Sequence, residues 1–289
     1  MPHEIERVED PARFASEVEP FLARREAENN LLLGIASGMA AQPDGFDESN
    51  SYLAIGRRGG QIVGAAIWTT GYRVVLSFPE DVAFAAALGA AIVCTGLEVA
   101  GFLGPTGAGA PFAGPFLASG VAVREGTPQL IYRLGRIPVV PDVPGSLRAA
   151  TREDRETLIE WWMGFVLDTS GEGVAREVVA ARVDGHLASA ESGIYVWQDG
   201  EPVSMATARG RTPNGIRIGG VYTPPSHRNR GYASASVASL SRRQLESGRT
   251  FCFLFTDAAN PTSNSIYRRM GYEQVAEVGE LVFNDAPRR

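Results

Sequence analysis

The chain has 289 residues, 44% of them hydrophobic and 21% charged, with a net charge of -6. That is enough for one large or two medium domains with apolar cores, and it excludes the global basic footprint of a nucleic-acid binder. All 27 basic residues are arginine, which rules out a P-loop lysine, a Schiff-base lysine and lysine-bound pyridoxal.

Cys94 and Cys252 sit in apolar contexts and read as buried thiols of a reducing compartment. His3, His186 and His227 share no ligand spacing with them, so no metal is expected. Met1 to Asp10 is polar and acidic, unlike a signal peptide. The longest apolar run, Val82 to Leu97, is shorter than the roughly 20 residues of a membrane span and reads as a buried helix. The expectation is a cytoplasmic protein with no membrane or nucleic-acid partner.

In chain order, Ile5 to Val8 is a strand, and Asp10-Pro11 caps a helix with Phe14, Val18, Phe21 and Leu22 at helical spacing. A second helical patch spans Leu31 to Met39. Strands at Tyr52–Ile55, Ile62–Trp68 and Val74–Leu76 form a meander. The buried helix follows, then a strand at Leu97 to Leu103. The Gly/Pro-rich patch from Gly104 to Pro115 reads as a loop, because it lacks the Walker lysine and the dinucleotide spacing. Ile131–Leu134 would close the sheet. Three prolines between Pro138 and Pro144 then make a stiff connector.

After it the order restarts. Leu147–Ala150 is a strand, and Thr151 with Asp154 resembles a capping box. Leu158, Trp161, Trp162, Phe165 and Val166 form an apolar helix face. A second helix covers Gly173 to Ala188. Strands at Tyr195–Trp197, Val203–Ala208 and Ile216–Tyr222 follow, with Asn214-Gly215 signalling a type I′ turn. The caps Asp10 and Thr151 lie 141 positions apart, and the hairpin glycines Gly60 and Gly200 lie 140 apart. Duplication of one α+β unit accounts for this; two unrelated domains sharing common motifs are the other account. The expected domains are 1–136, a Pro-rich linker 137–145, and 146–289.

The halves differ where chemistry would sit. After its fourth strand the second half breaks at Thr223-Pro-Pro-Ser226, and Arg228-Asn-Arg-Gly-Tyr-Ala233 opens a helix. Free N–H groups and the dipole of a helix start attract anions; Gly231 allows close backbone approach, and two arginines add charge. The first half has Pro79-Glu80-Asp81 there, with carboxylates instead of arginines. Gly219-Gly220 either marks a β-bulge or relieves packing. Phe251–Phe255 is a buried strand. Asn260-Pro261 starts a last helix, on which Ile266 and Met270 would face the core and Asn264 and Tyr267 would face away.

Arg-x-x-Gly-x-Ala between strand and helix, followed by Asn-x-x-x-Asn-x-x-Tyr and Arg-x-x-Gly-Tyr, resembles the GNAT superfamily of acyl-CoA N-acyltransferases. The likeness covers about Leu147 to Phe283, and tandem members with one degenerate half exist in that superfamily. It implies an α+β fold of two GNAT-like domains, each a mixed, mostly antiparallel sheet flanked by helices. The expected activity is transfer of an acetyl group from acetyl-CoA to a primary amine in a ternary complex. A non-catalytic acyl-CoA sensor is the alternative. The acceptor would be a small-molecule or peptide amine.

The resemblance further implies that Arg228, Asn229, Arg230, Gly231, Tyr232, Ala233 and Ser234 hold the coenzyme diphosphate. Val221, Tyr222 and Thr223 would offer backbone groups to the pantetheine arm, with Val221 N–H donating to the thioester oxygen. Asn260 and Asn264 would bond the coenzyme, and Tyr267 would protonate the departing thiolate. No carboxylate lies on the Ile216–Tyr222 strand; Glu160, Asp257 and His186 are the candidate bases.

Overall fold

The computed structural model describes residues 3–42, 47–171, 173–188 and 193–283. One order of elements occurs twice. The first half runs β1 (Glu4–Val8), α1 (Pro11–Leu22), α2 (Asn30–Ala41), β2 (Ser51–Arg58), β3 (Gln61–Thr69), β4 (Val74–Leu76), α3 (Ala83–Thr95), β5 (Gly101–Pro105) and α4 (Thr106–Ala118), then β6 (Val123–Glu125) and β7 (Gln129–Leu134). The second runs β8 (Ser146–Ala149), α5 (Arg155–Ser170), α6 (Arg176–Ala188), β9 (Gly193–Asp199), β10 (Glu201–Arg209), β11 (Gly215–Tyr222), α7 (Tyr232–Glu246), β12 (Phe251–Asp257), α8 (Pro261–Met270) and β13 (Glu273–Phe283). Apart from β6 the two successions match, as duplication requires.

The chain forms two compact units, each assembled from separate stretches of sequence. The first comprises Met1–Ile131, Phe255–Pro261 and Gln274–Arg289; the second comprises Tyr132–Leu254 and Thr262–Glu273. In the first, β1, β2, β3, β4, β5 and β13 follow one another across the sheet. Thus the last strand of the chain pairs antiparallel with β5, from Val278↔Pro105 to Val282↔Gly101. Glu280 anchors it: its carboxylate accepts from Thr127 N–H at 2.7 Å and pairs with Arg73 Nε at 2.9 Å. In the second unit, Tyr132–Leu134 of β7 lie beside β12, followed by β11, β10, β9 and β8.

Alternation along the strands decides the layers. Leu53 and Ile55 of β2 face α1 and α2, with Phe14, Val18, Leu22 and Leu32 fully buried among them. Tyr52 and Ala54 face α3 and α4, with Phe84, Leu88, Phe102 and Phe112. In the second unit Leu158, Trp161, Trp162, Val179 and Val183 cover Val196 and Met205, while Tyr232 and Ala235 of α7 meet Trp197 and Val203 on the other face. Each large buried side chain contributes roughly 1.5–3 kcal/mol. The capping box forms as expected: Thr151 N–H donates to Asp154 Oδ2 at 2.7 Å, and Arg148 binds both carboxylate oxygens at 2.7 Å.

Four sequence expectations are corrected. The Gly104–Pro115 patch is mostly helix: α4 buries Ala108, Phe112 and Phe116 at four-residue spacing. Gly89 of α3 abuts Phe112 O, so a Cβ there would clash. Asn214-Gly215 is no type I′ turn, because neither residue has positive φ. Thr212 holds that turn instead, accepting from Gly215 N–H through Oγ1 at 3.0 Å, and Gly215 is small because Phe253 lies against it. Cys94 is exposed in the last turn of α3, whereas Cys252 is buried and its thiol is pushed up to about 12. On α8, Asn264 is the buried residue and Ile266 is only partly covered, so the polar face points inward.

Candidate functional site

β11 is irregular where the sequence places two glycines. Its register with β10 runs Arg209↔Arg217, Ala208↔Ile218 and Thr207↔Gly219, then jumps to Met205↔Tyr222. Gly220 and Val221 therefore share one opposing residue, Ala206, and form a bulge. Gly220 has φ +55, and a Cβ on it would stand 3.1 Å from Thr207 Cγ2 and 3.3 Å from Trp162 Cη2. Toward β12 the parallel register covers Gly215↔Phe251, Ile216↔Cys252 and Arg217↔Phe253 and stops there. From Ile218 to Tyr222 that edge of β11 is open among the described residues, ready to pair with an extended amide-bearing ligand.

Past the proline break the backbone forms a concave turn. Asn229 has φ +63, the one positive value among the described non-glycine residues, and Gly231 has φ +84. Left-handed residues on either side of Arg230 alternate the sign of φ, the backbone pattern from which anion nests are built. Gly231 is required twice: by its φ, and by Val143 Cγ1, which would lie 3.0 Å from a Cβ. Helix α7 then starts with no side-chain cap. Its first main-chain bond is Ala235 N–H to Gly231 O at 3.0 Å, leaving Tyr232, Ala233 and Ser234 N–H without acceptors among the described residues. Helix α3 is the contrast. There Asp81 Oδ1 accepts from Ala83 N–H at 2.9 Å and the carboxylate pairs with Arg58 at 2.6 Å, so the chain's own anion fills the position.

The arginines are engaged with protein. Arg228 Nε donates to Thr223 O at 3.0 Å, Nη2 lies 2.5 Å from Asp168 Oδ2, and the guanidinium stands 5.7 Å from the Tyr222 ring centroid. Tyr232 donates its hydroxyl to Asp199 Oδ2 at 2.6 Å, and this bond raises its pKa against the opposing effect of Arg230. The nest thus offers main-chain donors first and arginine charge second.

Asn264 and Tyr267 lie in a different cluster. Tyr267 sits between Tyr132, at 6.4 Å between ring centroids, and Tyr272, at 6.0 Å. Tyr272 is itself held by Ser241, hydroxyl to hydroxyl at 2.7 Å. Burial pushes the Tyr267 phenol up to about 12, so it stays protonated at every physiological pH. Tyr132 is invisible to local reading, since it lies in β7, far along the chain from α8. Asn260 precedes α8, and its N–H donates to Asp257 O at 3.1 Å.

The candidate bases fare poorly. Asp257 Oδ1 caps the turn by accepting from Ala259 N–H at 2.8 Å, and Glu160 is exposed on α5. His186 stacks on Trp162 at 5.5 Å, and burial, then Arg209 and Arg182, lower its pKa to about 4.

Residues 191–279 match the family model described as FR47-like protein. A GCN5-related N-acetyltransferase from Sphaerobacter thermophilus superposes with a TM-score of 0.63 at 17% identity, over 97% of this chain and 95% of the other. A tandem GNAT protein from the clavulanic acid biosynthesis pathway, solved without AcCoA, superposes with a TM-score of 0.56 at 13% identity, over 99% of both chains. The chain has a tandem GNAT fold. A GNAT-family acetyltransferase from Colwellia psychrerythraea is similar as well, with a TM-score of 0.57 at 13% identity over 97% of this chain and all of the other. No curated protein matches the chain significantly by sequence. The FR47-like segment contains the bulged strand, the nest and α8, so family likeness and unusual backbone fall on the same part of the GNAT fold. Among the described residues no helix is long and apolar enough to cross a membrane, and no cluster of three His, Cys, Asp or Glu side chains could hold a metal.

Proposed function

We propose that the second half of the chain is an N-acetyltransferase that moves an acetyl group from acetyl-CoA to a primary amine in a ternary complex. One observation carries this reading. An uncapped helix N-terminus, preceded by two left-handed residues, follows directly on a strand with an open edge and a bulge. A diphosphate suits the first feature and a peptide-like pantetheine arm suits the second. The first half has its own carboxylate at the corresponding helix and would not hold a diphosphate in the same way.

Arg228, Asn229, Arg230, Gly231, Tyr232, Ala233 and Ser234 would hold the diphosphate. The backbone of Val221, Tyr222 and Thr223 would meet the pantetheine arm, and Asn260 and Asn264 would add amide contacts. Holding donor and amine side by side removes much of the entropic barrier. Val221 N–H would donate to the oxygen on which charge develops, and Tyr267 would protonate the leaving thiolate. The acceptor is a small-molecule or peptide amine.

One finding favours a second reading, an acyl-CoA sensor without turnover. β11 bears no carboxylate, Asp257 is spent on its turn, and His186 has too low a pKa to hold a proton at neutral pH. An amine arriving neutral, or deprotonated through water, would meet the need for a base. A thiol-release screen with acetyl-CoA across amine acceptors tests both readings. Turnover with any acceptor eliminates the sensor, and calorimetry that detects no acetyl-CoA binding eliminates both.

A further inference from the structure

The backbone from Gly219 to Thr223 is held by side chains on either side of its bulge, and among the described residues by none at the bulge itself. Thr207 Oγ1 donates to Gly219 O at 2.9 Å. Ser204 Oγ donates to Tyr222 O at 3.1 Å. Ser204 has one proton, so the 2.9 Å contact between its oxygen and Thr223 Oγ1 is a bond donated by Thr223. Arg228 Nε takes Thr223 O. Both hydroxyls on β10 belong to fully buried residues.

Three positions apart on an extended strand, Ser204 and Thr207 project from opposite faces. Thr207 shares a face with Trp162, as their common approach to Gly220 shows. Ser204 pairs with Trp197, whose side chain packs with Tyr232 on the α7 face. A bulge is otherwise a place where ladder bonds lapse and backbone orientation is loosely held. Here two buried hydroxyls clamp its two ends, one from each face. An apolar residue of similar size would fill either site as well, so packing alone does not call for a hydroxyl there.

We infer that Ser204 and Thr207 are positioning residues: they fix the Gly220-Val221 bulge and so aim the Val221 N–H at the reacting carbonyl. This rests on the acyltransferase reading for its chemical consequence, though not for the clamp. Neither residue touches substrate; each acts through the carbonyl it holds. A displacement of about 1 Å in a reacting group can cost on the order of a hundredfold in rate.

The test uses the full chain with Thr207→Val, Ser204→Ala and the hydroxyl-retaining Thr207→Ser. Without any ligand, amide hydrogen exchange over Gly219–Thr223 should quicken about tenfold or more in the first two and stay near wild type in the third. Unchanged exchange in folded Thr207→Val and Ser204→Ala overturns the clamp, whatever the activity; where Thr207→Val fails to fold, Ser204→Ala decides alone. In turnover, kcat should fall by about tenfold to a hundredfold in those two variants, with Thr207→Ser within a few-fold of wild type. Affinity for CoA itself, whose pantetheine arm would meet the same backbone but which lacks the reacting carbonyl, should fall by less than kcat does. Equal kcat in all three, or Thr207→Ser as impaired as Thr207→Val, overturns the positioning role. A wild-type chain that binds no CoA defeats the acyltransferase reading and the aiming role with it, and is told apart from failure of the clamp by the ligand-free exchange.

Discussion

Arg228 and Asp168 are joined at 2.5 Å, and the pair ties the turn before α7 to helix α5. The same guanidinium holds Thr223 O and lies against the Tyr222 ring. Arg228 thus spends its charge on a carboxylate of its own chain, and in the proposed acyltransferase an incoming diphosphate would compete with Asp168 for it.

Asp168→Asn should therefore bind acetyl-CoA more tightly. Both partners are about half exposed, with 43% and 48% of their side chains accessible, and such pairs are worth up to about 1 kcal/mol. The gain should reach about fivefold, shrink with added salt, and be measurable by calorimetry at two ionic strengths. Equal affinity would mean that Arg228 plays no part in holding the diphosphate.

Gly231→Ala should destabilise the chain by about 1–2 kcal/mol, the cost of a left-handed residue with a side chain. Crowding by Val143 adds to it. Urea denaturation reads the loss; an unmoved midpoint would mean that the turn can relax out of its left-handed form. Gly231→Glu should in addition abolish coenzyme binding by bulk and charge.

Tyr267→Phe should keep acetyl-CoA affinity and lower kcat, by about a hundredfold if proton transfer is lost. In the proposed mechanism the protonated phenol is the active form, and burial holds it protonated to about pH 12. Tyr267 should thus impose no alkaline loss of kcat below that. A limb near pH 9 in the wild type that disappears in Tyr267→Phe would contradict this burial.

His186→Gln should flatten stability against pH. The imidazole titrates at about 4 in the folded chain and near 6.5 when unfolded. Between these values the unfolded chain binds the extra proton, so wild-type stability declines as pH falls from 6.5 to 4. The decline should be roughly 2 kcal/mol after allowing for partial exposure. Denaturation midpoints of both proteins at pH 7 and pH 4.5 measure it.

Local order was legible from residues alone. Asp10-Pro11, Thr151 with Asp154, the paired glycines at 219–220 and the apolar strand at 251–255 each act within a few residues, through caps, φ limits and alternation. The repeat and the GNAT likeness followed from such signals. Tertiary packing decided the rest, because it depends on partners far away in sequence. The α4 segment, rich in glycine and proline, is helical because Phe112 and Phe116 bury against Phe283 from the other end of the chain. The inward polar face of α8 exists because Tyr132 and Tyr272 enclose Tyr267. The clamp on the bulge is a match between hydroxyls of one strand and carbonyls of the next. Such a match needs a register, and register is settled only when strands meet.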